Sequence, residues 1–170
     1  MGYYPMFVEM QGRAVLLVGG GRVALDRIGK LADAGATVTV IAPTVIDEVR
    51  AFVDSGQAAW TSRPFAPGDT AGFDMVLVAT DDGAVNKTVA SEARASGIWV
   101  NAADDVANCD FILPSLASRG HIAIAVSTGG TSPALARWLR GRMQAFLTDD
   151  IERLGDLLAD VRLQARERDR

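Results

Sequence analysis

The chain has 170 residues, of which 49% are hydrophobic and 22% are charged. These fractions are close to the averages for globular proteins and exclude a largely disordered chain. The formal charge of −4 argues against a general nucleic-acid binder, which usually carries a basic excess. The first residues lack a signal-peptide pattern, and polar residues and glycines interrupt the longest uncharged stretch. We therefore expect neither a leader nor a membrane span.

The chain contains one cysteine, Cys109, and one histidine, His121. A single cysteine excludes a disulfide within the chain and a cysteine-based zinc site, and a single histidine excludes a two-histidine metal site. We therefore expect no metal site. One cysteine is also compatible with a reducing, cytoplasmic location.

Short apolar runs alternate with helical patterns through the first 110 residues. Strands are expected at 14–18, 37–41, 58–61, 74–79 and 98–100, and helices at 22–34, 46–53 and 82–96. Within the first helix, the predicted apolar side is Val23, Ile28, Leu31 and Ala32. Continuous apolar strands separated by helices are typical of a parallel sheet covered on both faces. The pattern predicts an α/β fold with a Rossmann-type parallel sheet.

The pattern changes after residue 101. Two apolar runs, 111–113 and 121–126, are too close together for a helical crossover, so we expect an antiparallel pair or a small separate sheet. A helix opened by Thr131 or Ser132 follows, with Pro133 in its first turn. A last short helix is expected to begin near Asp149.

A glycine-rich segment, Gly-Gly-Gly-Arg-Val-Ala at 19–24, follows the first strand and opens the first helix. In the G-x-G-x-x-A pattern, Gly19 permits the tight turn and Gly21 lets the backbone approach a pyrophosphate. Ala24 allows close helix packing. The helix N-terminus then offers N–H groups to phosphates. This context predicts dinucleotide binding. The alternative is a glycine turn without a ligand.

Polar residues follow three further strands of the predicted sheet. The second strand ends at Pro43 and Thr44 without an acid for the ribose or an arginine for a 2′-phosphate, so the pattern leaves NAD and NADP open. Thr80, Asp81 and Asp82 follow the strand at 74–79, where Asp82 suits a helix N-cap better than a ligand contact.

The segment 101–105, Asn-Ala-Ala-Asp-Asp, is expected to follow the last strand of this sheet. A carboxylate at this position, from Asp104 or Asp105, can act as a general base beside a cofactor. A polar loop with an Asx turn is an equal alternative.

Residues 111–148 contain four arginines and no acid, a net charge of +4 in an otherwise acidic chain. Arg137 and Arg140 are neighbours on one helix, and Arg119 and Arg142 complete the set. This cluster suits a substrate with several carboxylates. The alternative is a solvated helix face.

The ordered motifs resemble the precorrin-2 dehydrogenase family, which includes the N-terminal part of siroheme synthase. The matching segments are YPMF (4–7), VGGGRVA (18–24), ATDD (79–82), VN (85–86), NAAD (101–104), FILPS (111–115) and AVSTGGTSPALAR (125–137).

The resemblance implies oxidation of precorrin-2 to sirohydrochlorin with NAD as the hydride acceptor, and in some members Fe²⁺ insertion. Precorrin-2 is a tetrapyrrole with several carboxylates, which the arginine block would suit. The carried-over catalytic residue is Asp104. The cofactor contacts are Gly19, Gly21, Arg22, Val23, Pro43, Thr44, Thr80, Asp81 and Asn101, and the substrate contacts are Arg119, Ser127, Thr128, Arg137 and Arg140.

The resemblance also implies a homodimer and three regions: an NAD-binding domain at 1–110, a strand-helix dimerisation and substrate-cleft region at 111–148, and a short C-terminal helix at 149–170. Relatives continue into a larger helical domain. An apolar face with Leu135, Trp138, Leu139 and Met143 suits the dimer, and an intrachain core is the alternative. A nucleotide-sensing regulatory module, or a catalytically inactive scaffold, is the remaining functional alternative.

Overall fold

The computed structural model describes residues 2–103 and 106–168. In chain order the elements are β1 (Ala14–Val18), α1 (Arg22–Asp33), β2 (Thr37–Ala42), α2 (Asp47–Asp54), β3 (Ala58–Ser62), β4 (Met75–Val78), α3 (Gly83–Ala95), β5 (Trp99–Ala102), a 3₁₀ turn (Val106–Asn108), β6 (Ser115–Arg119), β7 (Ile122–Val126), α4 (Pro133–Phe146) and α5 (Asp149–Arg168). Two compact units result: Tyr4–Ile112, and the described residues from Leu113 onward together with residues 2 and 3.

The first unit contains a parallel sheet of five strands in the order β3-β2-β1-β4-β5. This order confirms the predicted Rossmann-type α/β fold. The chain adds β2 and β3 on one side of β1, and then β4 and β5 on the other side, so the strand order reverses between β1 and β4. Ligands of such sheets bind at this reversal point, outside the carboxyl ends of the strands.

Side chains of β1 alternate between two apolar layers. Val15 and Leu17 pack in one layer with Ile28 of α1, while Leu16 and Val18 pack in the other with α3. These four β1 side chains and that of Ile28 are each at most 2% exposed. Burial on both sides explains why the strands are continuous apolar runs, and it fixes the end of β1 from which the glycine loop leaves the sheet.

Two predictions in this unit are wrong in detail. Val23 was placed on the apolar side of the first helix, but it is 41% exposed, and Ala24 and Ile28 are the buried residues of α1. Positions 24 and 28 are one helical turn apart and face the sheet together, whereas residue 23 points about 100° away. The last strand also continues to Ala102, so Asn101 lies inside β5 rather than after it.

Asp74 anchors the amino end of β4 to that of β1. Its carboxylate accepts hydrogen bonds from the Ala14 N–H at 2.9 Å and from the Arg13 guanidinium at 3.0 Å. These two hydrogen bonds hold the pKa of Asp74 below its usual value, and the bond from Ala14 has the larger effect. This anchor lies at the edge of the sheet opposite the glycine loop.

The second unit contains an antiparallel pair, β6 and β7, in register from Ser115↔Val126 to Arg119↔Ile122. The prediction of a strand at 111–113 is wrong, because Phe111 packs against the core of the first unit's sheet and the strand begins four residues later. His121 was expected to begin a strand, but it lies in the turn between β6 and β7, after Gly120 with φ +50°.

The helix α4 begins as predicted. Ser132 is its N-cap and accepts a hydrogen bond from the Leu135 N–H at 3.2 Å, with Pro133 as the first helical residue. The Gln144 side chain joins α4 to β6 by bonding both the N–H and the C=O of Ser118, at 3.2 and 3.0 Å.

The predicted apolar face of α4 is only partly covered within the chain. Leu135 is 47% and Trp138 59% exposed, whereas Leu139 and Met143 are half-buried. Beside this face, Ala136 and the C-cap Leu147 are buried and Phe146 is 59% exposed. The helix α5 has no buried residue. None of the helices in the described ranges is long and apolar enough to cross a membrane.

Candidate functional site

The loop after β1 packs directly against the loop after β4. Gly19 has φ +119°, and a Cβ atom at this position would overlap the carbonyl oxygen of Ala79 and lie 3.3 Å from the Thr80 methyl group. Only glycine satisfies both conditions without strain. The Gly19 contact thus joins two of the predicted cofactor segments at the β1–β4 reversal point.

The loop after β2 closes on the same place. A Cβ atom on Gly20 would overlap the Thr44 carbonyl oxygen and lie 2.7 Å from Cγ1 of Val45, and the Ile46 N–H donates to the Gly20 carbonyl at 3.0 Å. Pro43 and Thr44 are exposed beside this contact. The structure therefore brings the predicted residues after β1, β2 and β4 together at one edge of the sheet.

Open space lies above Gly21. This residue is the N-cap of α1 with φ −92°, and an added Cβ would have nothing within 4 Å. Gly21 has no side chain to cap the N–H groups of the first turn, and Arg22 and Val23 are exposed there. An uncapped helix N-terminus with a bare backbone in front of it is suited to a phosphate group. The residues present therefore fit a dinucleotide.

Thr80 is held by Asn86, a buried residue that is 7% exposed. The Thr80 hydroxyl donates to Oδ1 of Asn86 at 2.6 Å, and Nδ2 of Asn86 donates to the Thr80 carbonyl at 3.1 Å. The sequence interpretation gave Asn86 no role. The signal in the sequence that points to this role is an asparagine in the first turn of a helix that follows a strand.

Asp82 is the N-cap of α3, as predicted. Its carboxylate accepts hydrogen bonds from the N–H groups of Ala84 and Val85 at 2.9 and 3.2 Å. Asp81, one residue earlier, is exposed at the same edge. The cap therefore uses the carboxylate of Asp82 and leaves Asp81 facing solvent.

Asn101 is 8% exposed and pairs in register with Leu77 of β4. Its Nδ2 donates to the carbonyl oxygen of Phe111 at 2.8 Å. The amide is thus engaged in holding the chain that returns after β5. Asp104, the predicted catalytic residue, and Asp105 lie outside the described residues.

The predicted substrate residues belong to the second unit. The guanidinium of Arg119 forms ion pairs with Asp149 and, at 3.7 Å, with Glu152, both on α5. Its charge is therefore balanced by two acids that come just after residues 111–148, the segment without acidic residues. Arg137 and Arg140 are exposed on α4.

The Ser-Thr-Gly-Gly loop before α4 is stabilised by its own side chains. Ser127 accepts a hydrogen bond from the Gly129 N–H at 3.1 Å, and the Thr128 hydroxyl donates to the Ser132 carbonyl at 3.1 Å. Both hydroxyl groups therefore shape the approach to α4. Their predicted substrate contacts stay a prediction.

Within the described ranges, no group of three or more histidine, cysteine or acidic side chains is arranged to hold a metal ion. An open cavity of about 510 Å³ lies beside Arg119 in the second unit, and Arg153, Asp149 and Asp150 are part of its lining. Its charged groups lie in neighbouring pairs of opposite sign, which makes it a poor site for a single anion or cation.

Two family models match the chain. Residues 6–115 match the model described as putative NAD(P)-binding, and residues 119–145 match the model described as sirohaem biosynthesis protein central. The first match spans the sheet and its glycine loop. The second spans β7, most of α4 and Arg119, so the two models divide the chain in nearly the same way as the two compact units.

Relatives of known name agree with these models. The siroheme synthase of Methylococcus capsulatus is 42% identical over 98% of this chain and 35% of its own length, and that of Nitrosococcus oceani is 39% identical over 99% and 36%. This chain therefore spans about a third of those relatives.

A solved structure named SirC, precorrin-2 dehydrogenase, superposes with a TM-score of 0.80 at 30% identity and covers 95% of this chain and 79% of that one. These matches support a nicotinamide cofactor, NAD or NADP, for the domain that contains the parallel sheet. The chain belongs to the putative NAD(P)-binding family of siroheme biosynthesis, together with the siroheme synthases and the precorrin-2 dehydrogenase.

Proposed function

We propose that this protein is an NAD-dependent precorrin-2 dehydrogenase that oxidises precorrin-2 to sirohydrochlorin in siroheme biosynthesis. The observation that carries the proposal is the likeness to the solved precorrin-2 dehydrogenase over 95% of the chain. That likeness includes both compact units, whereas a nucleotide-sensing module would need only the first one. We also propose a cytoplasmic location, with which the use of NAD and the single cysteine are compatible.

The carboxyl edge of the sheet would hold the dinucleotide. The bare backbone at Gly21 and the N–H groups of the first α1 turn suit the pyrophosphate, and Pro43 and Thr44 are exposed where the adenosine ribose is expected. Thr80, held by its hydrogen bond to Asn86, and Asp81 would face the nicotinamide. Bound NAD⁺ supplies the hydride acceptor.

The oxidation removes a hydride and a proton from precorrin-2. We assign acceptance of the proton to the carboxylate of Asp104, two residues after Ala102 in the sequence. Ala102 ends β5 at the carboxyl edge of the parallel sheet, the edge from which the glycine loop leaves β1. The proton then passes to solvent when the oxidised tetrapyrrole leaves. In this role Asp104 needs to be ionised and to reach one ring or N–H proton of the substrate.

NAD is favoured over NADP by the charges beside β2. NADP-binding sheets place an arginine near the 2′-phosphate at the end of this strand. Arg63, which directly follows β3, donates from both terminal guanidinium nitrogens, Nη1 and Nη2, to the carboxylate of Asp69 at 2.6 Å each. Its charge is therefore already matched, and we expect NADP to bind more weakly than NAD.

The substrate carboxylates would be bound by arginines of the second unit, chiefly Arg137 and Arg140. We also propose a homodimer, supported by the exposed apolar residues of α4 and α5. Fe²⁺ insertion into sirohydrochlorin is a second proposed activity, supported by siroheme synthases that are about 40% identical over nearly the whole chain. In it Fe²⁺ is a substrate, and Asp104 accepts protons from the pyrrole nitrogens.

The test is turnover by the purified protein. With precorrin-2 and NAD⁺, NADH and the sirohydrochlorin spectrum are expected to form together. Asp104→Ala should lower kcat by about 10²–10⁴-fold, the usual contribution of a general base, and leave NAD⁺ affinity unchanged. Asp33→Ala, an exposed carboxylate at the other end of α1, is the control and should behave like wild type.

The outcome also separates the alternatives. NAD⁺ binding without turnover at any protein concentration would support the regulatory module, and wild-type kcat in Asp104→Ala would refute the assigned base. For Fe²⁺ insertion, sirohydrochlorin should disappear faster with the protein than in its absence.

A further inference from the structure

The loop that follows β3 carries an arginine next to the end of β2. The two strands pair in parallel register with Ser62 opposite Ala42, and the Ser62 hydroxyl donates to the Pro43 carbonyl at 3.1 Å. Arg63 is the next residue. Because neighbouring strands lie only about 4.8 Å apart, a long side chain at this position can reach the end of β2. Rossmann-type sheets bind the adenosine ribose, or the 2′-phosphate of NADP, at that strand end.

Asp69 holds the guanidinium of Arg63 within the loop. Its two carboxylate oxygens accept from Nη1 and Nη2 at 2.6 Å each, and Nη1 also donates to the Pro64 carbonyl at 3.0 Å. The hydrogen bonds from Arg63 are the main cause that holds the pKa of Asp69 below its usual value. The pair is therefore ionised at neutral pH. It occupies both terminal nitrogens, which are the groups that bind a phosphate in bidentate fashion.

Glu92 of α3 fixes the backbone on both sides of Asp69. Its Oε2 accepts from the Gly68 N–H at 2.9 Å, and its Oε1 accepts from the N–H and the hydroxyl of Thr70 at 3.0 and 2.6 Å. Thr70 is 1% exposed. These hydrogen bonds do not involve the Asp69 side chain, so they remain available when that carboxylate is replaced. The loop thus presents Asp69 to Arg63 in a conformation that Glu92 helps to set.

We propose that Asp69 is a specificity-determining residue, which keeps Arg63 away from the 2′-phosphate of NADP and thereby makes the site selective for NAD. This inference rests on the proposed function, in which the carboxyl edge of the sheet binds the dinucleotide. NAD-binding sheets usually carry an acid for the ribose at the end of β2, where this chain has Pro43 and Thr44. Here the discriminating acid lies in the loop after β3 and acts through an arginine.

The alternative is that the Arg63–Asp69 pair only stabilises its loop. Asp74 provides a matched control, because its carboxylate also accepts hydrogen bonds from an arginine, Arg13, and from a backbone N–H, at the amino end of the sheet. Asp69→Asn and Asp74→Asn each remove one negative charge and release one arginine. Only Asp69→Asn releases it beside the end of β2. A general attraction for the more negative NADP⁺ would increase in both variants.

Titration calorimetry with NAD⁺ and NADP⁺, without tetrapyrrole, measures the selectivity. Asp69→Asn should lower the Kd for NADP⁺ by about tenfold, the value of a regained charge-assisted hydrogen bond, and keep the Kd for NAD⁺ within about twofold of wild type. Asp74→Asn should leave both constants unchanged. Asp69→Asn combined with Arg63→Ala should lose the gain for NADP⁺, because the arginine supplies it. Asp69→Ser, whose hydroxyl can still accept from the Ala66 N–H, is the second variant if Asp69→Asn folds poorly.

Three results would overturn the role of Asp69: a wild-type protein that binds NADP⁺ as tightly as NAD⁺, an equal gain for NADP⁺ in Asp74→Asn, or a gain that persists without Arg63. An unchanged Kd for NADP⁺ in a folded Asp69 variant would do the same. Turnover of precorrin-2 is a separate measurement. Dinucleotide binding without turnover would refute the proposed function, and the dissociation constants would still decide whether Asp69 sets the selectivity.

Discussion

The three consecutive glycines of the loop after β1 meet three different physical requirements. Gly19 needs a positive φ and the absence of a Cβ beside the Ala79 carbonyl, and Gly20 needs the absence of a Cβ beside Thr44. Gly21 has an ordinary φ and open space around it, so nothing in the fold demands glycine there. A ligand that approaches the backbone at Gly21 is the remaining reason for a residue without a side chain.

Gly21→Ala is therefore expected to separate binding from stability. The new methyl group costs some N-cap preference but also restricts the unfolded chain, so the free energy of unfolding should change by less than about 1 kcal/mol. The same methyl group meets the pyrophosphate and should weaken NAD⁺ binding by about tenfold, equivalent to about 1.4 kcal/mol. Thermal unfolding and titration with NAD⁺ measure the two effects.

Gly19→Ala is the comparison variant for this experiment. It forces a side chain into a left-handed conformation against a carbonyl oxygen and should destabilise the protein by about 1–3 kcal/mol. A Gly21→Ala protein that binds NAD⁺ as tightly as wild type would show that the dinucleotide does not pass over this residue.

At the level of elements, the parallel strands could be predicted to within about two residues, most clearly β1 and β4, which are apolar throughout and buried. The strand β6 could not, because only Ala117 of its five residues is buried and the others include two serines and an arginine. The apolar run at 111–113 misled the prediction. Phe111 packs under the sheet, with its ring centroid 6.5 Å from that of Trp99, and it serves packing rather than strand pairing.

The candidate site was predictable to a similar extent. The glycine loop and the Asp82 cap follow from local spacing, so they could be predicted. The partners of Arg119 and Asn101 lie 30 and 10 residues away, and only folding brings them together. For this reason the sequence placed Arg119 with the substrate arginines, although acids of α5 surround its guanidinium.

The arginines of α4 and β6 should consequently differ in function. Arg137→Ala combined with Arg140→Ala is expected to raise KM for precorrin-2 by about tenfold, the value of one or two lost charge-assisted hydrogen bonds, with KM for NAD⁺ unchanged. Arg119→Ala should act mainly on stability, by up to about 1 kcal/mol, because it removes a partly exposed ion pair between β6 and α5. Steady-state kinetics at low and high salt and thermal unfolding distinguish the two classes.

Arg166→Ala, which removes an exposed charge near the end of α5, is the control for net charge. If it raises KM for precorrin-2 as much as the α4 double variant, general electrostatic attraction explains the effect. If Arg119→Ala raised KM for precorrin-2 more than the α4 double variant does, Arg119 would be a substrate-binding residue.

At the level of the whole molecule, the second unit exposes many large apolar side chains within the single chain. The helix α5 is 20 residues long without one buried residue. Ile151 is half-buried, and the other five large apolar side chains are 50–60% exposed: Leu154, Leu157, Leu158, Val161 and Leu163. Leu154, Leu158 and Val161 follow the i, i+4, i+7 spacing of one helical stripe. Contiguous apolar surface of this kind usually marks an interface.

A homodimer that buries this stripe should be weakened selectively by a charge on it. Leu158→Glu is expected to raise the dimer dissociation constant at least 100-fold, since burying a leucine contributes about 1.5–3 kcal/mol and a buried unpaired carboxylate costs more. Leu163→Glu is the matched control, because Leu163 is equally exposed, at 60% against 59%, but lies about 140° around the helix from Leu158. Sedimentation equilibrium over a range of protein concentrations measures both constants. A wild-type protein that stays monomeric, or equal weakening by the two substitutions, would contradict a dimer formed through this stripe.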